Sequence, residues 1–242
     1  MEYRCKETIL NLSTRTLVVA AHPDDEVLGC GGTMARIAFE GGEVQTIFLT
    51  DGESSRYFAE DIESRELSLR IQSRIKAADA AAKILGSLPP KFLNFPDNQL
   101  DSIPLLEIVR LIETEISRFQ PSRVITHHMG DLNIDHQLTY EAVLVATRPQ
   151  GGCPVKELLS FEIPSATEWR PAGNGLSFSP NLFVNIDTFE KQKLAALNSY
   201  KSEMKEFPHP RSIDAISALM RWRGATSMLD FAEAFILNRG IY

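Results

Sequence analysis

The feature that most constrains the fold is an alternation of short apolar runs with amphipathic helical stripes over residues 14–150. Runs such as 16–21 and 44–50 are mainly apolar, which is typical of strands in a parallel sheet that is buried on both faces. Between these runs, apolar residues recur every three or four positions, as in the stripe from Ile71 to Leu85 that ends at Gly86. The alternation predicts an α/β fold with a mainly parallel central sheet covered by helices on both faces.

The same patterns give approximate element boundaries. Strands are predicted at residues 16–21, 44–50, 92–95, 124–126 and 182–186, and helices at residues 33–40, 71–85, 105–119, 134–147, 191–205, 214–221 and 227–237. Residues 22–32 are predicted to form a loop, and residues 151–180 a loop-rich stretch. Because no repeat and no clear linker interrupts the 242 residues, we predict one domain over 1–242. Its core spans about 14–150, and 151–242 form a C-terminal extension.

Charge and cysteine content exclude several classes of protein. The chain has 25 Lys and Arg against 32 Asp and Glu, a net charge of −7, which argues against nucleic-acid binding and polybasic membrane binding. It lacks the run of about 18 apolar residues that a membrane span needs. The three cysteines, Cys5, Cys30 and Cys153, form no CxxC pair, and residues 1–11 lack the apolar stretch of a signal peptide. These features predict a cytoplasmic protein in a reducing compartment.

A polar cluster follows the first predicted strand directly, with the sequence His-Pro-Asp-Asp-Glu at residues 22–26. His22 and Asp25 are three residues apart, so a helical turn places both side chains on one side. An imidazole and a carboxylate suit a borderline divalent metal such as zinc. Asp24 is expected to face the open coordination position, where a carboxylate can accept a proton from water. The alternative is a solvated acidic turn that caps a helix.

A second polar cluster, residues 127–136, follows the fourth predicted strand. In an open α/β sheet, two such clusters meet where the strand order reverses, so we expect this one to join the first. His136 would complete a set of two histidines and one carboxylate. Asp131 and Asp135 are candidates to orient the imidazoles. The alternative is a polar loop with a helix cap at Asp135.

The first cluster, with the glycines and Thr33 that follow it, resembles the signature of PIG-L/LmbE-type N-acyl deacetylases. Further matching segments occur in the family's order: Thr50-Asp51-Gly52-Glu53, Leu85-Gly86, Phe95-Pro96-Asp97 and Asp135-His136. The resemblance implies a Rossmann-like three-layer fold and zinc-dependent removal of acetyl groups from amino sugars. It implies that His22, Asp25 and His136 bind zinc, and that Asp24 is the general base and then the proton donor to the leaving amine. It also implies a homo-oligomer, a trimer or a hexamer.

One position departs from the pattern of many members of that family. They carry a histidine three residues before the last zinc ligand, where it stabilises the oxyanion, whereas this chain has Asn133. An asparagine amide can donate a hydrogen bond but carries no positive charge. Either Asn133 keeps this role, or His127 contacts the substrate instead, or zinc alone suffices.

Three further residues are candidate substrate contacts by resemblance. Arg74 matches a family arginine by its spacing to Leu85, and the alternative is a solvated arginine on a helix face. His209 and Arg211, in the segment Pro208-His209-Pro210-Arg211-Ser212, are expected to reach the pocket of the same or a neighbouring subunit. For that segment the alternative is a rigid connector.

The sequence also contains a feature that is typical of a different class of enzyme. Residues 29–32 invite a dinucleotide-binding interpretation, but the fingerprint needs a third glycine where the chain has Met34, which disfavours an oxidoreductase. We therefore predict a deacetylase of an N-acetylglucosamine-like sugar, glycoside or conjugate, with Zn²⁺, or alternatively Fe²⁺ or Co²⁺, as cofactor. The remaining alternatives are an amidase of a sugar–thiol conjugate and a non-catalytic, metal-containing sugar-binding protein.

Overall fold

Seven strands form one sheet in the computed structural model, which describes residues 11–57, 65–171, 173 and 176–242. The strands are β1 (Arg15–Ala20), β2 (Glu43–Thr50), β3 (Lys91–Phe95), β4 (Arg123–His127), β5 (Glu157–Phe161), β6 (Leu182–Asn185) and β7 (Ala232–Gly240). Their order is β3-β2-β1-β4-β5-β7-β6. The first five strands of this order are parallel, and β7 runs antiparallel to both β5 and β6. The sheet therefore contains strands from 14–150 and from 151–242.

Helices cover both faces of the sheet, as the alternation predicts. They are α1 (Asp25–Phe39), α2 (Arg65–Leu85), α3 (Leu105–Phe119), α4 (Ile134–Ala146), α5 (Glu190–Leu197) and α6 (Ile213–Thr226). Val18 and Ala20 of β1 share a core with α1, α2, α5 and α6, whereas Leu17 and Val19 share a second core with α3 and α4. Because successive strand residues point to opposite faces, both faces of β1 are apolar. The predicted three-layer α/β fold is confirmed. Among the described helices, none is long and apolar enough to cross a bilayer.

The predicted loop at residues 22–32 is wrong, because α1 already begins at Asp25 and continues through a kink at Cys30. The glycines that suggested a loop are needed for close packing instead. A Cβ atom added to Gly29 would lie 2.5 Å from the Phe161 ring, and one added to Gly32 would lie 2.9 Å from Ile186. These glycines let the first half of α1 pack directly on the sheet.

The predicted helix at residues 227–237 is also wrong, because most of this segment belongs to β7. The segment contains residues that favour helices, but β7 is paired on both sides, with β5 and β6. Tertiary pairing of this kind overrides local propensity. The inserted strand also buries Glu233, whose carboxylate accepts hydrogen bonds from the N–H groups of Gly32 and Thr33 just after the kink in α1.

Two smaller differences concern the C-terminal portion. The stretch 151–180 contains β5, a fully buried strand that its flanking turns concealed. The predicted helix at 191–205 is shorter: α5 ends at Leu197, and a 3-10 turn covers Asn198–Tyr200. This turn brings the side chains of Tyr200 and Glu203 towards the candidate site described below. Of the three cysteines, Cys5 lies outside the described residues.

Candidate metal centre and adjoining cavity

The two polar clusters meet at the carboxyl ends of β1 and β4, as predicted. These strands are neighbours at the centre of the sheet, and the order of strands reverses between them. His22 follows β1, Asp25 begins α1, and His136 lies in the first turn of α4. This is the position at which ligands bind in open α/β sheets.

Three atoms of these residues form a nearly equilateral triangle. His22 Nδ1 lies 3.1 Å from Asp25 Oδ2 and 3.2 Å from His136 Nε2, and the last two atoms are 3.4 Å apart. Tetrahedral coordination with bonds of about 2.0–2.1 Å places ligand atoms about 3.3 Å apart. The second carboxylate oxygen of Asp25, Oδ1, is buried and has no hydrogen-bond partner within the described part of the chain. The donor types, their spacing and this unpartnered oxygen fit a divalent metal such as zinc.

Carboxylates lie behind both imidazoles of the triangle. His22 Nε2 is 3.0 Å from Asp97 Oδ1 and 3.2 Å from Asp135 Oδ2, and His136 Nδ1 is 3.1 Å from Asp131 Oδ1. A carboxylate at one ring nitrogen favours its protonation and leaves the lone pair of the other nitrogen for a metal. Although burial opposes it, the contact with His22 holds the pKa of Asp97 below its ordinary value. Asp97, the last residue of the matching segment Phe95-Pro96-Asp97, therefore joins Asp135 at the imidazole of His22.

Asp131→Asn should weaken zinc binding about tenfold, because the neutral amide stabilises the required tautomer of His136 less well and lowers the basicity of its ring. The measurement is the dissociation constant of zinc, determined by competition with a chromophoric chelator. Asp230→Asn is the matched control, since Asp230 is exposed and distant in sequence from the site. An unchanged dissociation constant in Asp131→Asn, with the same thermal stability as wild type, would contradict the orienting role.

Asp24 lies at a small polar cavity beside the triangle. The cavity has a volume of about 150 Å³, and its walls include His22, Asp24, Arg74, Asp97, Asn133 and Arg211. The carboxylate of Asp24 accepts a hydrogen bond of 3.0 Å from Arg211, and the Arg74 guanidinium is 3.5 Å away. Burial outweighs these two positive charges and raises the pKa of Asp24 above its ordinary value. A buried carboxyl of raised pKa is suited to both accepting and returning a proton.

Arg74 is less available to a substrate than the resemblance suggested. It is buried and forms ion pairs of 2.7 Å with Glu53 and with Glu203. It also donates to the backbone carbonyls of Pro23 and Gly52. With most of its donors satisfied by the protein, Arg74 fixes the walls of the cavity and supplies positive charge close to Asp24.

Asn133, which is predicted to donate a hydrogen bond to the oxyanion, also has a structural role. It is the N-cap of α4, where its side-chain oxygen accepts hydrogen bonds from the N–H groups of Asp135 and His136. Its amide nitrogen donates to Asn98, and both residues line the cavity. This nitrogen carries two hydrogens, and the bond to Asn98 uses one of them. The arrangement is compatible with donation to an oxyanion, which stays a prediction.

Neither His127 nor His209 is among the residues that line the cavity. His127 is fully buried, its ring stacks on that of His136 at 3.9 Å, and its Nε2 accepts a hydrogen bond from the N–H of Ala21. It lies behind the triangle rather than at the cavity. His209 accepts a hydrogen bond from the N–H of Arg211 and packs edge-on against Trp169. The fully buried His127 supports the ring of His136 from behind, and the predicted substrate contact of the half-buried His209 stays a prediction, whereas Arg211 lines the cavity.

Sequence reasoning missed three residues around Asp24. Glu26 accepts a hydrogen bond from the N–H of Asp24 and another from the Tyr200 hydroxyl, and burial raises its pKa to about 8. Glu203 binds Arg74 and also Arg56. Glu26 lies within the signature, which hinted at a role. Tyr200 and Glu203 come from a distant segment, and nothing in the sequence pairs them with Glu26 or Arg74.

Comparisons with known proteins identify the family of this chain. The family model PIG-L (GlcNAc-PI de-N-acetylase) matches residues 17–147. The uncharacterized deacetylase YaiS of Escherichia coli (strain K12) is 32% identical over 192 residues, which are 77% of this chain and 90% of that protein. The diacetylchitobiose deacetylase of Thermococcus kodakarensis is 28% identical over 205 residues, 79% of this chain and 71% of that protein. The crystal structure of the conserved protein TT1542 from Thermus thermophilus has a TM-score of 0.73 and 28% identity, with 95% of this chain and 96% of that chain covered. The two relatives from Escherichia coli and Thermococcus kodakarensis are both named as deacetylases. Because the family model matches more than half of the chain, this protein belongs to the PIG-L family.

Proposed function

We propose that this chain is a metal-dependent hydrolase that removes the N-acetyl group from an N-acetylglucosamine-like amino sugar, glycoside or sugar conjugate. The observation that carries the proposal is the triangle of His22, Asp25 and His136 next to a buried carboxylate, Asp24, at one polar cavity. A deacetylase needs these two elements side by side, one to polarise an amide and the other to transfer protons.

His22, Asp25 and His136 would hold the metal, with zinc as the expected ion and Fe²⁺ or Co²⁺ as alternatives. When bound there, a divalent metal polarises the amide carbonyl and lowers the pKa of water. Asp24 accepts the proton of the attacking water at its carboxylate and then delivers it to the nitrogen of the leaving amine. The amide N–H of Asn133 donates to the developing oxyanion. Arg211, which is held beside Asp24 and lines the cavity, is proposed to contact the sugar.

The test is acetate release from a panel of N-acetylated sugars by the purified chain. The panel runs from free N-acetylglucosamine through simple glycosides and diacetylchitobiose to nucleotide sugars and a sugar–thiol conjugate. Metal is removed with a chelator and restored as Zn²⁺, Fe²⁺ or Co²⁺. We expect activity to disappear with the metal, to return with at least one ion, and to be highest for one class of sugar. Stoichiometric metal and sugar binding without acetate release would support the sugar-binding protein instead, and release of the acyl group from the thiol conjugate alone would support the amidase.

Two further proposals concern the state of the protein. The family resemblance supports a homo-oligomer, which we propose is a trimer or a hexamer and which light scattering of the purified chain tests. We propose a cytoplasmic location on the basis of the cysteine pattern, and fractionation of cells that express the chain tests it.

A further inference from the structure

The backbone at Asp24 has a conformation that L-amino acids rarely adopt. Its φ angle is 144°, in the region that favours glycine. Such a conformation persists only where the surrounding structure holds it, and strain of this kind is common at catalytic positions.

Glu26 and Tyr200 form a buried chain of hydrogen bonds that ends at this residue. The N–H of Asp24 donates to Glu26 Oε2 at 3.1 Å, and the Tyr200 hydroxyl donates to Glu26 Oε1 at 2.6 Å. Only 3% of Glu26 and 1% of Tyr200 is exposed to solvent. On the other side of the residue, the carbonyl of Asp24 accepts from the N–H groups of Val27 and Leu28 at 3.1 and 3.0 Å. Hydrogen bonds therefore fix both peptide groups of Asp24, and Glu26 is the partner on the N-terminal side.

We propose that Glu26 and Tyr200 are positioning residues, which hold the strained backbone of Asp24 so that its carboxylate faces the cavity. The inference rests on the proposed function, in which Asp24 transfers the proton. A two-residue chain is needed because Glu26 alone, on a flexible side chain, has several rotamers available. The hydroxyl of Tyr200, which is fixed by the burial of its ring in the core under α1, α2 and α5, selects one of them.

Tyr200→Phe removes this hydroxyl and keeps the buried ring. We expect kcat for acetate release to fall about tenfold while KM stays within about twofold, because the transition state loses alignment and ground-state binding does not. Metal content should not change. Thr147→Val is the control: it removes another buried hydroxyl, which donates to the backbone carbonyl of Val143 at the far end of α4. A merely structural role for Tyr200 predicts equal losses of thermal stability in the two variants and wild-type kcat in both.

Two substitutions of Glu26 sharpen the test. In Glu26→Gln the amide oxygen can accept from the N–H of Asp24, and the amide NH₂ can donate to the Tyr200 hydroxyl, which is also an acceptor. In Glu26→Leu neither hydrogen bond can form. We expect the glutamine variant to keep most of kcat and the leucine variant to lose about a hundredfold. Equal kcat in these two variants would overturn the proposal.

A substrate-free readout separates this inference from the proposed function. Crystal structures of the metal-loaded wild type and Tyr200→Phe are compared at the Asp24 carboxylate, where a shift of more than about 0.5 Å is expected. If wild type released no acetate from any sugar of the panel, the proposed function would fail, and this comparison would still decide the positioning role. An unmoved Asp24 in Tyr200→Phe would overturn it, whatever the activity.

Discussion

Asp24→Asn is expected to lower kcat for acetate release about 10³-fold, with little change in KM and none in metal content. The amide of asparagine can still accept the hydrogen bond from Arg211, so the geometry of the cavity is kept. It cannot take up the proton of the attacking water, and it cannot return one to the leaving amine. The measurement is steady-state kinetics on the best sugar of the panel, with zinc content determined on the same samples.

The control for this experiment is Asp230→Asn, which makes the same chemical change at an exposed position. It should have wild-type kinetics. Acetate release by Asp24→Asn at the wild-type rate would remove Asp24 from the role of general base. A parallel loss of zinc would show instead that the substitution disturbs the neighbouring ligand Asp25.

Glu233→Ala is expected to reduce the free energy of unfolding by about 3–5 kcal/mol, because it leaves a buried ammonium group without its counter-ion. Lys193 and Glu233 are 2% and 4% exposed, and their charged atoms are 2.7 Å apart. The same carboxylate also accepts from two N–H groups of α1, which the alanine cannot replace. Urea denaturation, followed by circular dichroism, measures the change.

The double variant Lys193→Met/Glu233→Leu separates the two contributions. Replacing both charges with apolar side chains removes the unpaired ammonium, so we expect it to recover part of the lost stability. The remainder is the cost of removing the partners of three backbone groups: the N–H groups of Gly32 and Thr33, and the carbonyl of Leu28, which accepts from Lys193. If Glu233→Ala changed the free energy of unfolding by less than about 1 kcal/mol, in the range of an exposed pair, this account of the buried pair would be wrong.

The sequence predicted four of the five parallel strands, β1 to β4, because they are largely apolar and are separated by helices with clear stripes. It predicted β7 wrongly because the residues of that strand favour a helix locally and are held as a strand by two neighbours. The start of α1 was missed for a related reason. Gly29 and Gly32 weaken a helix by themselves, and only the Phe161 and Ile186 side chains that pack against them explain their presence.

For the candidate site, the metal triangle was predictable because His22 and Asp25 lie in one short motif and His136 follows a second strand that ends at the same edge. The resemblance to a known family supplied their roles. The contacts around Asp24 were harder to predict from the sequence. Tyr200 meets Glu26 across 174 positions of the chain, and such a pairing leaves no periodicity or motif to detect. His127 was misassigned because a histidine beside a site looks the same in sequence whether it faces the cavity or packs behind a ligand.

The position of residues 200–211 beside Asp24 limits how this protein can be recombined with its relatives. The segment matched by the family model ends at residue 147 and carries every residue of the metal triangle, yet Arg211, Glu203 and Tyr200 approach Asp24 from beyond it. A chimera joined near residue 150 would inherit the triangle of His22, Asp25 and His136 from one parent and the groups around Asp24 from the other. Exchanging the C-terminal segment would therefore change what holds Asp24 in place, so a transplanted segment needs a matching hydroxyl opposite Glu26.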